Sequence, residues 1–318
     1  MALKIAFQMD PLDQIDVSAD TTFRLIEESQ KRGHLNYVYS PEHLRYDNGE
    51  VKVLGSFVNV RRELKNFAQI EKPQELSLSD FDIVWLRQDP PFDMLYITTT
   101  HILDLLIPDV LVVNNPFWVR NFPEKILVLK FPNLIPPTLI SRDLEAMQGF
   151  HQSMGEIIVK PLYGNGGEGI FKLDEGDPNL PVVLDLFLKT SREPLICQQY
   201  LPEVKNGDKR VILVDGEPVG AINRVPKHGD IRSNMHVGGV AKKSHLSETD
   251  LEICAAIGPT LKKNGQVLVG IDIIGEKLTE INLTSPTGIQ EIEKFDNINI
   301  ASQIWKVLET KVKCEQKN

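Results

Sequence analysis

The chain has 318 residues, room for two or three domains, and its 42% hydrophobic and 25% charged content fits a soluble globular protein with a large core. A formal net charge of −9 argues against a nucleic-acid or anionic-membrane surface. No apolar run is long enough to cross a bilayer.

Residues 1–10 are apolar but reach Asp10 too soon for a signal-peptide core, so 4–9 is expected as a first strand. A polar loop spans 10–20. Thr21-Thr22 can cap a helix carrying Phe23, Leu25 and Ile26 near one face, with Gly33 as its stop. There follow a strand at 35–39, a hairpin turning at Asn48-Gly49, a buried strand at 82–86, a helix over 96–107 and a strand at 110–113. This alternation predicts a parallel α/β sheet. Pro132, Pro136 and Pro137 mark a boundary. Strand 156–160 then runs into a glycine-rich stretch. The remainder is expected mostly as strands and turns, with one clear helix over 250–263, N-capped by Ser247 with Asp250 in capping-box position, and a last helix over 300–312. Cys197, Cys254 and Cys314 form no CxxC pair, which suits a reducing cytosol, and Cys197 is expected as a small buried apolar residue rather than a reactive thiol.

Residues 267–282 predict two strands around a turn at Gly275. Glu280 and Asn282 are two apart and share a face. A turn with an odd number of loop residues, 275–277, sets Asp272 opposite Glu280 on that face, and a two-residue loop sends Asp272 to the other. Carboxylates placed opposite each other destabilise a ladder unless a cation lies between them. An oxygen-only set of this kind suits magnesium.

The phosphate side begins at Lys160, followed by Gly164, Gly166 and Gly167 in a loop able to turn successive N–H groups onto an anion. It is neither a Walker A loop nor a dinucleotide fingerprint, because no Gly-Lys-Ser/Thr follows and the next element is strand-like. The strand at 196–201 leads to a hinge whose main chain could read an adenine edge. Each arginine alone is a surface charge. Lys125, Lys160, Arg210, Arg224 and Arg232 together, in an acidic chain, point to a shared anionic ligand. Residues 226–240 are turn-rich and mobile by composition.

These parts, in this order, resemble the ATP-grasp ligases, and over nearly the whole chain they are similar to bacterial-type glutathione synthetase. The specific runs are Asp89-Pro90-Pro91-Phe92-Asp93 and 280–287, Glu-Ile-Asn-Leu-Thr-Ser-Pro-Thr, with Asn165, Ser233 and Gly288 as departures from the usual pattern. The resemblance implies an α/β (α+β overall) ATP-grasp fold with an N-terminal parallel-sheet domain over 1–122, a lid subdomain over 123–201 and a C-terminal subdomain over 202–318. It implies ligation of γ-glutamylcysteine and glycine with ATP, with magnesium as metal and manganese able to substitute.

By the same resemblance Lys125, Lys160, Gly164, Gly166 and Gly167 hold the phosphates and Gln198, Gln199, Tyr200 and Leu201 the adenine. Asp208 takes the ribose side, and Asp272, Glu280 and Asn282 the metal. Arg87, Arg224, Arg232, Asn234, Ser285, Pro286 and Thr287 take the peptide. Arg210, on the phosphates, and Arg232 are the catalytic pair. A homo-oligomer, a tetramer, is also implied, in the cytoplasm, and 226–240 is the implied lid over a reactive acyl phosphate. Two rivals are an ATP-grasp ligase with other substrates, such as D-alanine–D-alanine ligase, and a non-catalytic ATP-binding module. The Asp-Pro-Pro-Phe-Asp run speaks against the first. The presence of Asp272, Glu280, Asn282 and Arg232 speaks against the second.

Overall fold

The apolar run at 4–8 lacks alternation, as a strand covered on both faces does. It is β1 (Lys4–Gln8) of the computed structural model, which describes residues 2–63, 65–227, 232–233 and 238–315, the last without its side chain. Helix α1 (Thr21–Lys31) follows. Its N-cap is Asp20, not the threonine pair, because the carboxylate accepts from the Phe23 amide at 2.5 Å while Thr21 is already helical.

Next come β2 (Leu35–Tyr39), β3 (Leu44–Asp47), β4 (Glu50–Val60), β5 (Ala68–Ile70), β6 (Gln74–Ser77) and β7 (Ile83–Leu86). Helix α2 (Met94–Asp104), capped by Asp93, and β8 (Leu111–Val113) complete the first sheet. Its order is β3-β4-β2-β1-β7-β8, parallel from β2 to β8, with β4 antiparallel and β5 and β6 paired to β4. The expected parallel α/β sheet is therefore present, with an antiparallel extension.

Short helices α3 (Pro116–Asn121) and α4 (Glu124–Leu127) lead to a second sheet built from β9 (Thr138–Ser141), β10 (Ile157–Pro161), β11 (Phe171–Leu173) and β12 (Leu195–Gln199). Its order is β11-β10-β12-β9, all antiparallel. Helices α5 (Leu144–Met154) and α6 (Leu180–Thr190) cover it, α6 lying in the stretch after 160 expected to be mostly strands and turns. The α6 sequence Leu-Pro-Val-Val-Leu is rich in strand-forming residues. Packing of Leu180, Val183 and Leu184 against the sheet overrides that preference. This sheet has its own core, from Met147, Ile157, Val159, Leu173, Leu184 and Cys197 among others.

The third sheet is antiparallel, in the order β15-β14-β13-β16-β17. Its strands are β13 (Asp208–Val214), β14 (Glu217–Val225), β15 (Val240–Lys243), β16 (Leu268–Ile274) and β17 (Lys277–Asn282). Helix α7 (Glu248–Lys263) begins with the expected capping box of Ser247 and Asp250. Helices α8 (Ile289–Asp296) and α9 (Ile300–Glu315) end the chain, α8 being a further helix absent from the sequence expectation. Gly288 is its N-cap at φ +112°, a backbone state that L side chains rarely adopt, so glycine is required there.

Two buried polar side chains tie the N-terminal region of the chain to its last third, Asn114 between the first and third sheets and Trp305 between helices. Asn114, just past β8, donates to the carbonyls of Leu268 (2.8 Å) and Leu283 (2.7 Å) and accepts from the amides of Val267 and Leu268. Trp305 of α9 is fully buried and donates to the Leu25 carbonyl at 2.9 Å. With its polar groups satisfied, this junction holds the two sheets in a fixed relation.

Candidate functional site

A cleft of about 610 Å³ lies between the second and third sheets and is also lined by the 89–90 and 284–287 turns. That volume suits a drug-sized ligand or cofactor. Its floor is one face of the third sheet. Asp208 and Arg210, two apart on β13, share that face. Across the ladders Asp208 pairs with Arg224, Arg210 with Asp272, and Asp272 with Glu280.

The Asp272–Glu280 pairing settles the register left open by the sequence. The turn has two residues, Gly275 and Glu276, since Ile274 pairs with Lys277 and Ile273 with Leu278. Alone, that loop would turn Asp272 away. A bulge leaves Thr279 unpaired between Leu278 and Glu280 and restores Asp272 to the face of Glu280. The Thr279 hydroxyl donates to the Asp272 carbonyl at 3.0 Å and fixes the bulge.

Each charge on this floor is answered. The Arg210 fork grips Asp272 through Nε (2.5 Å) and Nη2 (2.9 Å). Arg224 Nη2 reaches both Asp208 (2.5 Å) and Asp272 (2.9 Å). Burial opposes ionisation of Asp272, but the two guanidiniums outweigh it and hold its carboxyl well below the usual range. At Asp208 burial wins. Arg224 lowers it and Asp272 raises it, and the carboxyl is pushed up to about 6. Its Oδ2 accepts from the Ser233 hydroxyl at 2.9 Å, and its Oδ1 is buried without a hydrogen-bond partner.

The roof comes from the second sheet and α4. Lys160 at the end of β10 and Lys125 in α4 place their ammoniums 3.3 and 3.8 Å from Glu280 Oε1. Burial raises the Glu280 carboxyl and the lysines more than compensate, so it stays below its ordinary value. Of the loop glycines named from sequence, Gly166 (φ +64°) and Gly167 (φ +85°) are in the left-handed region. Gly164 is not; its carbonyl instead accepts from Lys125. Arg232 lays its aliphatic carbons against Gly167, where an added Cβ would meet them at 3.5–3.7 Å.

Gln198, Gln199, Tyr200 and Leu201 line the cleft where β12 leaves the second sheet. The Gln198 side chain is committed to Thr138 at 2.9 Å, and the Gln199 and Tyr200 amides donate to the Pro137 and Glu156 carbonyls. Ser285, Pro286 and Thr287 line the cleft as well, with Asn282. Arg87 does not reach the cleft. It is buried behind that turn, donating to the Pro286 carbonyl at 3.3 Å and to Thr22, while Ser285 donates to the Arg87 carbonyl. Asn234, and much of the 226–240 segment expected as a lid, lies outside the described residues. Sequence reasoning passed over Glu124, Thr279 and Thr284, all of which line the cleft. The signal for Glu124 was its place beside Lys125 at a proline-led helix start.

The family model for the prokaryotic glutathione synthetase N-terminal domain matches residues 3–120, and that for the family's ATP-grasp domain matches 124–297. A solved RimK-domain ATP-grasp protein from Sphaerobacter thermophilus shares the fold, with TM-score 0.62 and 15% identity over 95% of this chain and 97% of that one. Fold and cleft thus define an ATP-grasp ligase, an enzyme that uses ATP to join a carboxylate to an amine. A glutathione synthetase of Brucella melitensis is 52% identical over 311 residues, 98% of this chain and 100% of its own. One of Mesorhizobium japonicum is 52% identical over 313 residues, with the same coverage of both. The chain belongs to the prokaryotic glutathione synthetase family, and its activity is ATP-dependent synthesis of glutathione.

Proposed function

We propose that the cleft ligates γ-glutamylcysteine to glycine through an acyl phosphate, with ATP lying between the two facing sheets. The observation that carries this is the charged row of Arg224, Asp208, Arg210, Asp272 and Glu280 lying under Lys125 and Lys160. Lys125, Lys160 and the N–H groups of 164–167 hold the phosphates. Main-chain groups of 198–201 take the adenine edge. The unpartnered Oδ1 of Asp208 accepts from a ribose hydroxyl, which meets its buried deficit.

Asp272, Glu280 and Asn282 fit magnesium. They offer oxygen donors on one face, and Asn282 donates to Asp272 through Nδ2 at 3.2 Å, which leaves its amide oxygen for a cation. Asp272 would hold that cation with oxygens that it also shares with Arg210 and Arg224. Held by these three side chains, magnesium, or manganese in its place, would supply positive charge against the charge that develops during phosphoryl transfer.

The peptide carboxylate lies by the 285–287 turn, steered by Arg210, Arg224 and Arg232, and Arg87 braces that turn from behind. It attacks the γ-phosphorus, and the P–O bond to ADP breaks with its electron pair on the ADP oxygen. The resulting acyl phosphate has the leaving group that a carboxylate lacks, and the amine displaces phosphate from it. No thiol is needed: burial pushes both Cys197 and Cys254 up to about 12.

The separate core of the second sheet supports a partition into 1–122, 123–201 and 202–318. The three free cysteines support a cytoplasmic setting. The family resemblance supports a homotetramer, which light scattering tests. Incubation with ATP, magnesium and γ-glutamylcysteine, with and without glycine, tests the activity. Glycine-dependent ADP release matched by peptide is expected. Release that depends on D-alanine instead, or no release, refutes it.

A further inference from the structure

The nucleophile poses a problem that the described charges frame. An amino acid arrives as an ammonium, yet the reacting end of the cleft is dominated by cations: Lys125, Lys160, Arg210 and Arg224. Of the carboxylates there, Asp272 is gripped by two arginines, Asp208 by Arg224, and Glu280 by two lysines. Glu124 differs. Among the described residues its hydrogen-bond partner is a neutral hydroxyl, Thr284 Oγ1 at 2.8 Å.

Its position fits the chemistry. Glu124 precedes Lys125, so its Cα lies about 3.8 Å from that of a phosphate-holding lysine. Thr284 directly precedes the Ser285-Pro286-Thr287 turn. The carboxylate therefore lies between the cations assigned to the γ-phosphate and the turn assigned to the peptide. The acyl carbon must form in that interval, and the attacking nitrogen must enter it. The charged groups acting on Glu124 are Lys125, Glu280 and Arg210, and burial raises its carboxyl above the ordinary value.

We propose that Glu124 receives the ammonium of the acceptor amino acid and takes its proton as the amide forms. One N–H proton passes to the Glu124 carboxylate. The freed lone pair makes the C–N bond to the acyl carbon. The C–O bond to phosphate breaks, with its electron pair on the phosphate oxygen, and the second amine proton leaves with phosphate. Thr284 is the positioning residue that holds the carboxylate. The inference deepens the proposed ligation and rests on it.

The test separates the two. Wild type, Glu124→Gln and Glu124→Asp are assayed with ATP, magnesium and γ-glutamylcysteine, using either glycine or hydroxylamine as acceptor. Hydroxylamine is uncharged at physiological pH and traps the acyl phosphate as hydroxamate without needing an anion. For Glu124→Gln the glycine rate should fall at least tenfold more than the hydroxamate rate. Its KM for glycine should rise while its KM for ATP moves less, and Glu124→Asp should recover part of the glycine rate. Equal losses with both acceptors would overturn the assignment and mark Glu124 as structural. Undiminished glycine use would overturn it too. Absence of hydroxamate from wild type would instead remove the underlying ligation reading.

Discussion

Replacing Glu280 with Gln removes a negative charge from between two ammoniums while preserving side-chain shape. At the observed separations of 3.3 and 3.8 Å, unit charges in a medium of effective dielectric about 20 attract by about 5 and about 4 kcal/mol gross. The Glu280 side chain is 24% exposed, so solvent leaves a net of roughly 1 kcal/mol per pair. In the substituted protein Lys125 and Lys160 no longer have to leave this carboxylate to meet the phosphates. Metal-free ATP should therefore bind as well as to wild type or tighter, by up to about tenfold, since a tenfold change corresponds to about 1.4 kcal/mol. Turnover moves the other way. Losing one of two carboxylate ligands should lower kcat/KM by roughly a hundredfold or more and raise the magnesium concentration needed for half-maximal rate. Calorimetry of ATP binding in chelator, set beside ADP release across a magnesium titration, reads both. Wild-type magnesium dependence would sink the metal assignment. Weaker metal-free ATP binding would show that the lysines are not held in reserve for phosphate.

Gly270 pairs with Asn282, and a Cβ there would sit 3.0 Å from Pro286 Cβ and 3.1 Å from Arg210 Cδ. Gly270→Ala should cost about 1–3 kcal/mol in a thermal or urea melt and raise KM for the peptide more than for ATP; an unchanged peptide KM would mean that the turn does not hold the peptide. The Asp208 carboxyl is raised from 3.8 to about 6, so the folded protein binds the extra proton between those values. Its contribution to stability is present below the lower value and lost as pH rises through the upper one. Asp208→Asn should flatten that part of the stability–pH curve, and KM for ATP in wild type should rise as pH falls through about 6. Asp272, held low by its arginines, contributes above the ordinary carboxylate range and is lost only as pH falls through its depressed value. A thiol reagent on the folded protein should modify exposed Cys314 while sparing Cys197 and Cys254, with turnover retained; loss of turnover on modification of either buried thiol would contradict the thiol-free chemistry.

The sequence by itself determined the local patterns and the chemical inventory. Short-range rules suffice for the strand at 83–86, the Ser247–Asp250 capping box, the glycine turns and the parallel alternation of the first third, because their causes lie within a few residues. The residue types at 272, 280 and 282 likewise offered a candidate set of oxygen donors. Tertiary structure decided which of these groups meet. Arg210 and Asp272 lie 62 positions apart, and Lys160 and Glu280 lie 120 apart. No periodicity encodes such pairs. The bulge at Thr279 arises where the two-residue turn must be reconciled with a ladder that buries Ile271, Leu278 and Ile281. Strand propensity in α6 gave way to a sheet that needed a cover, and Gly288 proved necessary only once α8 began there. Arg87 resembles a ligand-binding arginine in its motif, yet its guanidinium donates to the Pro286 carbonyl from behind the 285–287 turn. Glu124 shows the same limit from the other side. It is one carboxylate among 44 acidic residues in the sequence. What distinguishes it is its place in a cationic cleft with a neutral partner, which only the folded chain creates.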